Sequence, residues 1–90
     1  MKTNKPTKAE LKKMAVSVRQ VARDFVREGI AGFKKNLHMQ AVYRADGADL
    51  QAIAALIEEG SIEAASNKAQ RLDTLVRELI PAPVWDFLVP

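Results

Sequence analysis

His38 is the one imidazole in the chain, and an imidazole without companion ligands cannot hold a metal. On a helix those companions would sit three or four residues away. Lys35 precedes His38 and Val42 follows it there, so no Glu-x-x-His unit forms and His38 reads as a surface or boundary residue. Asp24 and Glu28 share a helical face at i,i+4, and Glu58 and Glu59 are adjacent. General acid-base work needs surroundings that drive two pKa values apart, and nothing near either pair supplies them. Gly29 and Gly32 follow a helical pattern instead of a strand and lack a Lys-Ser/Thr ending, so they build no phosphate-cradling loop. Cysteine is absent, which removes thiolate nucleophiles, thiolate metal sites and disulfides together. The expectation is a protein that is not an enzyme, with no catalytic residue, cofactor or metal.

The basic side chains offer a different chemistry. Lys8, Lys12, Arg19, Arg23 and Arg27 fall off the apolar stripe of the first helical segment, and Lys34 and Lys35 extend positive charge into the second. These seven are the candidate nucleic-acid contacts, which would be salt-sensitive and largely indifferent to sequence. Lys and Arg are also simply good helix formers, and Asp24 and Glu28 interrupt the basic surface. A helix-turn-helix reader centred on Gly60 fits poorly. Leu56 stands where a small residue belongs, and the prospective recognition helix opens Ile62, Glu63, Ala64, Ala65, whose carboxylate would repel phosphate. Membrane binding through the first helix is disfavoured by its two stripe alanines and its lack of Trp.

A third feature is the tail Val84-Trp85-Asp86-Phe87-Leu88-Val89-Pro90, which holds the only Trp. Left in water it would expose a large apolar patch for so small a chain. Trp85, Phe87 and Leu88 are therefore candidates for contact with a protein partner, against the simpler expectation that they pack back over the core.

The elements that must position these groups follow from apolar spacing. Thr7 with Glu10 is a capping box. From it Leu11, Met14, Ala15, Val18, Val21, Ala22 and Phe25 recur at three and four, predicting a helix over 8–28 stopped by Gly29, with Ile30 against Phe25. Ile30, Phe33, Leu37 and Ala41 make a second stripe out of phase with the first, so a kink is expected between Gly29 and Gly32 and a second helix over 31–44. Asp46-Gly47 reads as a turn, with Asp46 or Asp49 capping a third helix over 48–59. Gly60 and Ser61 then open a fourth helix over 62–80, folded back on the third, with alanines at the near end and an outer Asp73–Arg77 pair. Pro81 and Pro83 stop it. The Trp85, Phe87, Val89 alternation is too short for a sheet.

Ninety residues fit one domain, read as a loose basic arm over 1–6 and a helical domain over 7–90. The predicted fold is all-α, a small antiparallel four-helix bundle-like domain closed by the apolar C-terminal tail. Its predicted core is Leu11, Met14, Val18, Val21, Phe25, Phe33, Leu37, Leu50, Ile53, Ile57, Leu72, Val76 and Leu79. A 48 % apolar content argues against disorder, and no apolar run reaches the roughly 20 residues that a membrane span needs, so a cytoplasmic protein is expected. The net charge of +3 divides unevenly: +8 over residues 1–45 and −5 over 46–90. Such a split suits a nucleic-acid face, and it equally suits two halves that attract inside one fold or across a homodimer. A chain this short buries only roughly 60 % of its unfolded surface, so self-association would help it. The expected function is that of a small regulatory or adaptor protein, acting by protein binding through a helical face or the aromatic tail. The alternative is a nucleic-acid-binding accessory protein using the arm and the first two helices.

Overall fold

The computed structural model describes residues 5–90. Helices hold 78 % of these and no strand occurs among them, so the chain is all-α. In order they are α1 Lys8–Gly32, α2 Leu37–Glu58, α3 Ile62–Gln70, the single turn α4 Thr74–Arg77, and α5 Ala82–Leu88. Residues 1–4 of the expected arm lie outside the described part; Lys5 and Pro6 precede α1 without helical structure.

The capping box forms as expected. The Thr7 backbone N–H donates to Glu10 Oε1 at 2.9 Å, and Thr7 Oγ1 accepts from the Glu10 N–H at 3.1 Å. This pair holds the Glu10 carboxyl below its ordinary range. The helix does not stop at Gly29. It continues to Gly32, and the reversal occupies residues 33–36 instead. There Asn36 Oδ1 accepts from the Met39 N–H, capping α2. Gln40, the one buried polar residue among those described, donates from Nε2 to the carbonyls of Phe33 (2.8 Å) and Lys34 (3.2 Å), tying α2 to the backbone of the reversal.

Gly47 is likewise no turn, and α2 runs straight through Asp46-Gly47-Ala48-Asp49. Gly29 and Gly47 sit inside helices for a shared reason. A Cβ on Gly29 would overlap the Tyr43 ring, and one on Gly47 would overlap Val26 Cγ2. Each glycine thus accepts a side chain of the opposite helix, and the two backbones come close together. Phe25 and Phe33 complete this contact, their ring centroids 4.5 and 5.6 Å from that of Tyr43. With Arg19 paired to Glu58 at the far end, α1 and α2 form one long hairpin in a molecule of 54 × 22 × 18 Å.

The expected helix over 62–80 breaks. α3 ends at Gln70, and a bend at 71–73 leads into α4. Ser61 occupies the N-cap of α3 without a side-chain hydrogen bond. The Asp73–Arg77 pair is not among the ion pairs of the described residues: Asp73 precedes α4, and Arg77 donates to Thr74 Oγ1 while lying 5.8 Å over the Trp85 ring. Small side chains do mediate the return of α3 along α2, since Ala65 and Ala69 are fully buried. The tail is helical, as α5, and packs on α3.

Two long helices and three short ones therefore stand where four comparable rods are expected, and these contacts do not establish a four-helix bundle. The core gathers Ala15, Val18, Ala22, Leu50, Ile53, Ala54, Ile57, Ala65, Ala69, Val76, Ile80, Val84 and Leu88. Leu11, Met14, Val21, Phe25 and Leu72 pack at its edge, and Phe33 is half-buried at the reversal. Two expected core residues are displaced. Leu37 opens α2 beside the reversal and is 79 % exposed, while Leu79, beyond the bend that splits the expected fourth helix, is 37 % exposed.

Where α3 returns along α2, its following bend brings Asp73 toward Asp46. Burial first, then the charges of Asp73 and Asp49, push the Asp46 carboxyl above its ordinary range. The folded state holds this proton more tightly than the unfolded chain. Stability attached to Asp46 is thus full below its unfolded pKa and is lost as pH rises through the folded one. Asp46→Asn is expected to raise the melting temperature slightly at neutral pH, by no more than about 0.5 kcal/mol in stability, with no gain below the carboxylate range. Thermal melts at two pH values check this. Glu58 runs the opposite way. Its hydrogen bond to Arg19 and the charges of Arg19 and then Lys12 lower its pKa, so stability attached to it is lost as pH falls.

Candidate functional site

His38 is exposed in the first turn of α2; Asp24 accepts from Arg27 at 2.6 Å and from Gln20 at 3.0 Å. Among the described residues, no three His, Cys, Asp or Glu side chains gather where they could hold a metal ion. None of the described helices is long and apolar enough to cross a membrane.

The basic candidates separate into two groups along α1. Lys12 and Arg19 lie toward its start, where Glu58 draws them in: Arg19 forms the cross-helix ion pair, and Lys12 contributes charge nearby. Lys8 is exposed in the first turn. Arg23 and Arg27 lie farther along and, with Lys34 of the reversal, stand at the edge of a groove of about 810 Å³ between α1 and α2. Its floor is Ala22, Val26, Ile30, Gly47 and Ala48, and Arg44 of α2 supplies a fourth cation from the opposite wall. Lys35 lies outside the groove, exposed in the reversal.

Helical periodicity explains this arrangement. Arg23, Arg27 and Ile30 recur at four and three and share one flank of α1, with Lys34 following in the reversal; Arg44, Ala48, Gln51 and Ala55 recur at four, three and four on α2. The helices meet through Gly29 and Gly47, which brings the flanks together as a shallow apolar trough between basic walls. α3 returns along α2 on the side of Asp46 and Asp49, where Lys68 pairs with Asp49 at 3.5 Å. On the trough side Arg23, Arg27, Lys34, Arg44 and Ala48 are exposed, and Val16, two turns before Arg23 on α1, is 50 % exposed.

The aromatic candidates divide differently. Leu88 is buried in the core; Trp85 and Phe87 are half-buried against it, with Arg77 over the indole. Sequence reasoning misses the trough because stopping the first helix at Gly29 leaves Ile30 outside both helices and puts Arg44 at the end of a second helix over 31–44. The available signal is the spacing of Val26 and Ile30, which continues the period of the first helix once Gly29 is allowed inside it. Comparison of the chain with protein-family models, with curated proteins and with solved structures found no match.

Proposed function

We propose that the protein is a non-enzymatic adaptor or regulatory protein that receives an acidic amphipathic helix of a partner protein in the trough between α1 and α2. The supporting observation is the pairing of an apolar floor with Arg23, Arg27, Lys34 and Arg44 on its walls. A helix laid in a groove anchors apolar side chains at i, i+3, i+4 and i+7, and carboxylates on its flanks would meet these cations. Bare phosphates would leave the apolar floor uncovered, which favours a helix over a nucleic acid as occupant.

Three labelled probes test the reading: a synthetic helix with leucines on one face and glutamates on its flanks, the same helix with lysines for glutamates, and a DNA duplex. The acidic helix is expected to bind, more weakly as salt rises, and to lose at least about tenfold in affinity on Arg23→Glu with Arg44→Glu. Equal binding of the acidic and basic helices would defeat the proposal. So would a preference for the duplex that these two charge reversals abolish, which would move the function to nucleic acid.

A further inference from the structure

We infer that the partner helix is bipartite: about three acidic turns fill the trough, and about two further turns, apolar but uncharged, run on over a second hollow toward the start of α1. The inference rests on the docking reading and names the length and charge pattern of the helix that the trough receives.

The gap between α1 and α2 does not end at the trough. One turn before Arg23 on α1 stands Arg19, and one turn beyond Gln51 on α2 stands Ala55; with Glu58 and Glu59 they line a second hollow of about 320 Å³. Val16, seven residues before Arg23 and so on its side of α1, is 50 % exposed and offers this stretch an apolar anchor point. Ala55 is exposed on the facing flank, where its small side chain lets a helix approach closely. Along α1 the trough runs from Ala22 to Ala31, about 14 Å or roughly three turns, and Val16 lies about 9 Å farther back. A helix that covers both is therefore about five turns long.

Charge changes sharply at the boundary. Arg23, Arg27, Lys34 and Arg44 border the trough, and none of the described residues lining it is acidic. Arg27 is paired with Asp24, whereas Arg23, Lys34 and Arg44 enter none of the ion pairs among the described residues. Past Arg23 the balance is zero: Arg19 is paired with Glu58, Lys12 adds its charge to the same carboxylate, and Glu59 stands exposed beside them. A partner carboxylate gains over the trough. Over the second hollow it would meet two carboxylates as well as two cations and lose hydration for no net attraction. Leucine over Val16, flanked by glutamine, suits that stretch better. The hollow thus discriminates against a helix that is acidic along its whole length.

Three labelled eighteen-residue helices test this by titration. All share eleven residues of leucine and glutamate for the trough. The other seven are leucine with glutamine, glutamine throughout, or leucine with glutamate, and each helix is made with these seven at either end. In the better orientation the leucine-and-glutamine form is expected to bind at least about fivefold more tightly than the other two, the effect of burying one more leucine. Val16→Gln is expected to remove its advantage over the all-glutamine form and leave the binding of that form unchanged. Glu58→Gln with Glu59→Gln leaves Lys12 and Arg19 unopposed, and is expected to make the glutamate form the tightest while circular dichroism stays unchanged. Equal binding of the three helices overturns the inference and leaves the adaptor reading standing. So does a leucine advantage that survives Val16→Gln, or an order of preference that the two glutamine substitutions do not change. Failure of all three helices to bind removes the adaptor reading itself.

Discussion

Ile53→Ala is expected to cost about 2–5 kcal/mol of stability, read from the shift of a urea or thermal unfolding midpoint. Ile53 is fully buried in the middle of α2, with Leu50 and Ile57 a turn to either side, in the cluster that also holds Val18 of α1 and Ala65 of α3. Removing three carbons there loses their burial and leaves a space that neighbours fill only in part. A chain of this length has a total stability of roughly 5–13 kcal/mol, so the loss is a large share of it. Leu37→Ala removes as much hydrocarbon from the same helix. Leu37 is 79 % exposed, so that change is expected to stay within about 0.5 kcal/mol. Equal costs at the two positions would contradict the placement of the core.

Gly29→Ala is expected to destabilise by about 1–3 kcal/mol, against the usual trend for a glycine inside a helix. Helix propensity alone would make alanine the better residue by about 1 kcal/mol. The added Cβ, however, would meet Tyr43 at its Cβ, Cγ and Cδ1, atoms near the root of the side chain that cannot swing aside without moving α2. Gly32 is the control. Three residues on, its Cβ would have open space, so Gly32→Ala is expected to be neutral or stabilising by up to about 1 kcal/mol. If both alanine variants gain stability in a denaturant series, then α1 and α2 do not meet through Gly29. Because the same contact aligns the flanks bearing Arg23 and Arg44, Gly29→Ala should also weaken binding of the acidic helix in the trough.

Of the positions in these two predictions, Ile53 is where sequence and structure agree, and Leu37 and Gly29 are where they part company. Val18, Leu50, Ile53, Ile57 and Val76 were legible as core from three-four spacing, because burying one stripe of a helix is a local demand that any partner surface can meet. The capping box at Thr7 and Glu10 was legible for the same reason: both groups lie within one turn. Gly29 and Gly47 were not. A glycine is a helix breaker by propensity and a contact point by packing, and only the residue facing it, Tyr43 or Val26, decides which. The trough is hidden for that reason, since reading Gly29 as a stop leaves Ile30 outside either helix and assigns Lys34 and Arg44 to a separate short one. Leu72 and Leu79 kept the helical period while the chain bent at 71–73, so periodicity gave no warning there. Gln40 carries no sequence signal for its role, which depends on where the reversal places the Phe33 and Lys34 carbonyls.

The sequence by itself determined that this chain is helical, which stripes it must hide and where α1 begins, because these depend on interactions within a few turns. Only the tertiary structure decided that two long helices replace three expected shorter ones, that the tail expected to close the core does so as a helix, and that four cations border an apolar trough. Those outcomes depend on which surfaces meet across the hairpin, and a linear pattern of residue types does not encode the close approach of two backbones at Gly29 and Gly47.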